Sequence, residues 1–147
     1  MSVRNAIPDD RDEVLEFRRL LWPDGDDDNA DETVFVWQRV DGRLGGFVSI
    51  SIRPWAEGCR STPVPFIEGW FVSEDLRRTG VGRALFEAVE EWARSLGYAE
   101  IGSDARLDNV TSLRAHRRLG YQPTERLQYF RKDLRMGGDS RPIVVDR

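Results

Sequence analysis

A chain of 147 residues with 39% apolar and 33% charged residues is the size and composition of one globular domain that can bury a substantial core. Its net charge of −4 argues against nucleic acid as a partner, and no apolar run is long enough to span a membrane. One cysteine, Cys59, excludes an internal disulfide and a cysteine-based metal cluster, and no metal is expected. The first five residues lack a signal-peptide core, so a cytoplasmic setting is expected.

In chain order, Val3–Ala6 reads as a short strand. Pro8 and the acidic run after it open a helix whose buried face is Val14, Phe17, Leu20 and Leu21, with Pro23 ending it after Trp22. Asp24, Asp26, Asp27, Asp28, Asp31 and Glu32 then crowd one segment, either a solvated loop or an acidic rim that attracts a polycation. Thr33–Val40 and Gly46–Arg53 form an antiparallel hairpin around Asp41-Gly42, with Val48, Ile50 and Ile52 on one face and Phe47, Ser49 and Ser51 on the other. A loop, Pro54–Pro65, carries Trp55 and Cys59.

Phe66–Val72 is dense in aromatic and β-branched residues and reads as the central strand. Val81, Leu85, Ala88, Val89, Trp92 and Leu96 recur at helical spacing, and Gly97 closes that helix. Tyr98–Ser103 is a further strand ending at Asp104. Asp108-Asn109 starts a last helix with Val110, Leu113 and Leu119 on its apolar face, stopped by Gly120. Tyr121–Leu134 reads as a final strand. Residues 1–135 are taken as one domain and 136–147 as a tail in which Ile143-Val144-Val145 could dock. The order predicts an α/β fold, a mixed and largely antiparallel sheet flanked by helices.

Between the central strand and its helix lies Arg77-Arg78-Thr79-Gly80-Val81-Gly82. Glycines let backbone approach a ligand, and the first N–H groups of a helix lack intrahelical partners, so the turn suits a pyrophosphate. Alone, such a turn is equally a tight connection. It is neither a Walker loop nor Gly-x-Gly-x-x-Gly. It does match Arg/Gln-x-x-Gly-x-Gly/Ala, and after Trp70-Phe71-Val72 it resembles the pyrophosphate loop of the GNAT N-acetyltransferases. Asn109 with Ala115 and Leu119-Gly120-Tyr121 resembles their second acetyl-CoA motif. Leu21-Trp22-Pro23, Ser51-Ile52-Arg53, Phe66-Ile67-Glu68-Gly69, Ser103-Asp104-Ala105 and Leu107-Asp108-Asn109 resemble one subgroup, the aminoglycoside 6′-N-acetyltransferases.

The resemblance implies that acetyl-CoA is bound with its pyrophosphate on Arg77, Arg78, Thr79, Gly80, Val81 and Gly82. It implies pantetheine along the backbone of Trp70, Phe71 and Val72, and a cofactor bond from Asn109. It also implies an aminoglycoside pocket lined by Trp22, Trp55, Glu68, Asp104 and Glu125, a homodimer, and antibiotic resistance as the role. Three features depart from the subgroup: the segment between Trp22 and Trp55 is shorter and richer in Asp, Trp55 stands in place of Tyr, and the tail is extra. Five Trp and seven Phe are compatible with an apolar interface.

The chemistry needs a proton acceptor. An ammonium with a pKa near ~10.4 is neutral in only about one part in ~10³ at neutral pH, a handicap of roughly 4–5 kcal/mol. Asp104 and Glu68 are the candidate bases. His116, the only histidine, stands where the superfamily often places a Tyr, and either protonates the leaving thiolate or packs in its helix. Backbone N–H near Phe71-Val72 would polarise the carbonyl if a bulge splays that strand. Another amine acceptor, such as a protein N-terminus, a polyamine or a metabolite, and a non-catalytic acyl-CoA-binding domain remain the alternatives.

Overall fold

In the first half of the chain the strand-forming runs pair in sequence order: a tight turn at Asp41-Gly42 returns one strand antiparallel to its predecessor, while a helix and a longer loop make the neighbouring connections. The structure, a computed structural model, describes residues 2–25 and 31–135. Strand β1 is Ser2–Asn5, helix α1 Arg11–Leu21, β2 Thr33–Gln38, β3 Leu44–Arg53, β4 Val64–Val72, α2 Val81–Ser95, β5 Gly102–Ser103 and α3 Val110–Arg118. The sheet runs β1-β2-β3-β4-β5; its first three pairings are antiparallel and β4 with β5 is parallel. The expected fold class is the observed one.

Each face of this sheet is covered by a helix. Val48, Ile50, Ile67 and Val72 pack against Val81, Leu85, Phe86 and Val89 of α2. Val36 and Phe47 pack on the other face with Val14 of α1, and Phe17 stacks on Phe71 at 5.2 Å between ring centroids. The two faces of β3 divide as its alternation predicts. Arg4 on β1 grips Asp10 with two hydrogen bonds of 2.7 and 3.0 Å, and Asp10 accepts the Ile7 N–H at 2.8 Å, which fastens the start of α1 to the sheet. Arg18, buried on α1 and over the Phe47 ring, pairs with Glu32 just before β2.

Several expectations need correction. Leu20 and Leu96 project into solvent, whereas Phe86, absent from the expected apolar face of α2, is fully buried. Strand β4 begins at Val64, two residues early, and β5 is confined to Gly102–Ser103. The final strand expected over Tyr121–Leu134 does not form: no described residue there joins a ladder, and Tyr129, Phe130 and Leu134 are 80%, 88% and 82% exposed. Alternating apolar residues do not make a strand by themselves; the backbone must dock on a neighbouring edge, and this segment docks on none of those the sheet leaves open. Residues 26–30 of the acidic segment, and Ile143-Val144-Val145, lie outside the described residues.

Candidate active site

Two irregularities in the sheet coincide at Glu68. In the β3–β4 ladder Ser49 faces Gly69 and Ile50 faces Ile67, so Glu68 is an extra residue, a β-bulge. The β4–β5 pairing also stops there, its last pair being Ile67 with Ser103. Beyond that level the two strands part, and each begins its departure with a carboxylate, Glu68 on β4 and Asp104 after β5. The bulge re-aims Glu68 to the α1 face, where Ser51 and Arg53 of β3 meet it. Ser51 Oγ donates to Glu68 Oε1 at 3.2 Å, and Arg53 donates from Nε to Oε1 at 2.6 Å and from its terminal nitrogen to Oε2 at 2.8 Å. That fork raises the Arg53 guanidinium above its ordinary pKa; Glu68 is the main cause, and Asp104 and Tyr129 also favour the charged form. Sequence reasoning quoted Arg53 in a motif but assigned it no role.

Trp22 reaches the same place from the end of α1. A Cβ at Gly69 would lie 2.2 Å from Trp22 Cη2, and one at Gly25 would lie 2.9 Å from Trp22 Cβ. The indole is therefore seated on bare backbone beside Glu68, with the next loop closed over its base by a Gly25 N–H to Trp22 carbonyl bond of 3.0 Å. The 54–63 loop approaches from the β5 side. Its Arg60 and Ser61 backbone N–H groups bond the Glu100 carboxylate at 2.7–3.1 Å, which holds that acid below the usual carboxylate range. Trp55 is exposed on this loop, and Thr124 and Glu125 lie against its Gly58. Trp22 and Glu68 thus lie together, with Asp104 near enough to act on the Arg53 guanidinium, while Trp55 and Glu125 belong to the 54–63 loop and the segment against it.

The anion turn sits at the far end of the free β4 edge. Gly80 is the N-cap of α2 with φ +94°, a conformation that favours glycine, and no atom lies within 4 Å of where its Cβ would be. No acidic residue stands in the first turn of α2, in contrast to Asp12 and Glu13 in that of α1. The N–H groups of Val81, Gly82 and Arg83 have no acceptor within the helix. Arg77 bonds the Val72 carbonyl at 3.0 Å and lies over the Phe71 ring, so it braces the turn against β4. Arg78 adopts φ +64°, and Thr79 Oγ1 donates to the Leu76 carbonyl. An open, positively polarised turn with glycine at its tightest point fits a pyrophosphate.

The bulge at Glu68 lies three to four residues before Phe71-Val72, where carbonyl polarisation was expected. Phe71 and Val72 keep regular partners, Phe47 and Gly46. What they offer a ligand is the edge that β5 has left. Trp70 faces an aromatic cluster, 5.1 Å from Phe86 and 6.3 Å from His116.

His116 is built into that cluster. Its Nδ1 lies 2.7 Å from the Ser112 carbonyl, which only accepts, so Nδ1 carries a proton. Its Nε2 faces Ser103 Oγ at 2.8 Å. Any proton leaving the ring toward the cleft has to pass the Ser103 hydroxyl. Tyr121 beside it donates to Glu90 at 2.7 Å, and burial pushes its phenol pKa upward, so it stays protonated. Asn109 is the N-cap of α3, its Oδ1 accepting from Ser112 N–H at 3.1 Å, which leaves the amide NH₂ as the end able to face a cofactor. A separate depression of about 280 Å³ near Glu13, Arg39 and Arg43 contains none of the expected site residues. Among the described residues no helix is long and apolar enough to cross a membrane.

Comparison with known proteins points the same way. The model of a family described as acetyltransferase (GNAT) matches residues 4–121. The aminoglycoside N(6′)-acetyltransferase type 1 of Stenotrophomonas maltophilia is 38% identical, the match covering 90% of this chain and 94% of that protein. The protein of the same name from Klebsiella aerogenes is also 38% identical, covering 90% and 96%. The structure of AAC(6′)-Iy with the bisubstrate analogue CoA-S-monomethyl-acetylneamine is similar at a TM-score of 0.80 and 32% identity, covering 90% of this chain and 97% of that one. AAC(6′)-Ih from Acinetobacter baumannii gives a TM-score of 0.80 at 30% identity, covering 90% and 98%.

Proposed function

The chain belongs to the acetyltransferase (GNAT) family, and we propose that it transfers the acetyl group of acetyl-CoA to the 6′-amine of an aminoglycoside, as a resistance enzyme of the cytoplasm. The observation that carries this reading is the coincidence at Glu68. The strand edge that leads to the anion turn and the carboxylate-and-indole face begin at the same residue. A donor lying along the edge from Gly80 and an acceptor seated on Trp22 would meet there.

Bound acetyl-CoA supplies the thioester: the acceptor nitrogen bonds to its carbonyl carbon, the C–S bond breaks, and coenzyme A leaves as thiolate. The chain positions and moves protons. Gly80, Val81, Gly82 and Arg83 hold the pyrophosphate by backbone N–H groups, Arg78 and Thr79 complete the turn, and Asn109 adds a bond. Trp70, Phe71 and Val72 line the pantetheine path. Glu68 already accepts three hydrogen bonds, so its part is to anchor an ammonium. Asp104 after β5 accepts the proton from the attacking amine, directly or through water. With both ring nitrogens of His116 protonated, Ser103 Oγ would take the Nε2 proton as it passes its own to the thiolate, leaving neutral His116 and an intact hydroxyl. Trp22 and Trp55 offer apolar faces to sugar rings, and Glu125 adds charge at the rim.

A homodimer belongs to the same proposal. Residues 121–135 carry exposed Tyr129, Phe130 and Leu134 on backbone with no ladder partner among the described residues, which suits docking to a second copy. Light scattering at micromolar concentration reads a dimer if this holds and a monomer if it does not. The functional reading is tested by thiol release from acetyl-CoA with kanamycin, spermidine and a free peptide N-terminus as competing acceptors. Turnover of kanamycin at least a hundredfold above the others is expected; preference for either of the others refutes it.

A further inference from the structure

Arg53 is out of place in a pocket meant to attract polycations. It puts a fixed positive charge next to the anchoring carboxylate, and it lowers the attraction that Glu68 alone would exert. Its geometry nevertheless leaves it little freedom. The guanidinium lies 3.7 Å from the centroid of Phe66, whose ring is buried at 3% exposure, and its fork engages both Glu68 oxygens. The pair is reachable, with side-chain exposures of 31% for Arg53 and 18% for Glu68.

Counting acceptor sites shows what the fork does. A carboxylate offers about four lone-pair directions. Oε1 spends its two on Arg53 Nε and Ser51 Oγ, and Oε2 spends one on the terminal nitrogen of Arg53. One direction is left, on Oε2, and the carboxylate cannot rotate to offer another. An unpinned carboxylate would pair with any of several ammonium groups on one sugar scaffold, each pairing placing a different nitrogen at the thioester.

We propose that Arg53 is a positioning residue that selects the acceptor nitrogen: by pinning Glu68 to a single outward hydrogen-bond direction, it fixes which amine of a multiply aminated substrate is acetylated. The inference rests on the aminoglycoside reading above. Arg53 trades attraction for register, and its effect belongs on regiochemistry and kcat more than on acceptor KM.

The test compares wild type with Arg53→Gln and Arg53→Lys on an aminoglycoside bearing several amines, with products separated and assigned by mass spectrometry and NMR. Wild type is expected to give one monoacetylated isomer. Both variants are expected to give at least two, with kcat at the wild-type position down about tenfold, acceptor KM unchanged or lower, and CoA affinity within twofold. Lysine keeps the charge but lacks the fork, so a single isomer from Arg53→Lys would overturn the proposal, as would a single isomer from Arg53→Gln. Should thermal melts show that neither arginine variant folds, Ser51→Ala removes one of the three bonds. It is expected to yield a smaller second product, and one product at wild-type kcat overturns the idea. Failure of wild type to acetylate any aminoglycoside is a different result: it removes the acceptor reading, and this proposal with it.

Discussion

Replacing Gly69 by alanine probes the acceptor wall without touching charge. The added methyl would stand 2.2 Å from Trp22 Cη2 and 3.1 Å from Cζ2 and Cζ3, where ordinary contact begins at 3.4 Å. The indole must therefore withdraw by about 1.2 Å, the difference between 3.4 and 2.2 Å. The base of the side chain is held, Gly25 lying against its Cβ and the Trp22 N–H bonding the Arg18 carbonyl at 2.7 Å, so the displacement falls on the ring, which must rotate away from Gly69. Overpacking of this kind costs about 1–3 kcal/mol of stability, and an ångström of misplacement in a positioned site costs on the order of 10²-fold in rate. Acceptor kcat/KM in Gly69→Ala is expected to fall about 10–100-fold, with CoA affinity within twofold of wild type by calorimetry, since the anion turn lies at the other end of the β4 edge. Wild-type kcat/KM in a folded Gly69→Ala protein would show that the indole does not border the acceptor.

Gly80→Val places a β-branched residue at φ +94°, a strain of roughly 1–2 kcal/mol, with its side chain in the open space above the turn. Calorimetry should show CoA binding weakened tenfold or more, whereas Gly82→Ala, whose Cβ would meet Trp70 and Val72 at an ordinary 3.7–3.8 Å, should fold normally. Asp104→Asn should lower kcat by about 10²–10⁴-fold while leaving CoA affinity alone; a wild-type steady-state rate would remove Asp104 as the base. Asp10→Asn reports on the Arg4 clamp. The hydrogen bonds from Arg4 hold the Asp10 carboxyl below its ordinary 3.8, so its stabilisation is complete above that value and is lost as pH falls through the folded-state pKa. Urea melts should show wild type about 1–3 kcal/mol more stable than Asp10→Asn at pH 7, with the gap closing below pH 4; a gap that persists in acid would contradict the linkage.

Much of this was legible before any coordinates. The period-two alternation of Phe47–Ile52 sorted the two faces of β3, and the helical spacing from Val81 to Trp92 placed α2 with its glycine turn, because burial of a repeating face fixes both. Contacts remote in sequence were less legible. The bulge at Glu68 depends on register between β3 and β4, which no local residue announces. The partnership of Glu68 with Arg53 follows from that bulge. Gly69 read as part of a motif, yet its reason is a tryptophan 47 positions earlier lying on its backbone. Tyr121–Leu134 has the composition of a strand, yet its backbone pairs with none of the edges that β1, β4 and β5 leave open, so composition alone does not make a ladder.

The most direct measurement is the structure of the product. Purified protein is given acetyl-CoA with kanamycin, and separately with an analogue carrying a 6′-hydroxyl in place of the 6′-amine, and the drug is recovered for two-dimensional NMR. The expected result is a single amide whose N–H correlates with carbon 6′ of kanamycin, and no acetylation of the hydroxyl analogue. An acetyl group on another nitrogen of kanamycin, or efficient acetylation of the hydroxyl analogue at any amine, would contradict the assignment of this cleft to the 6′-amine.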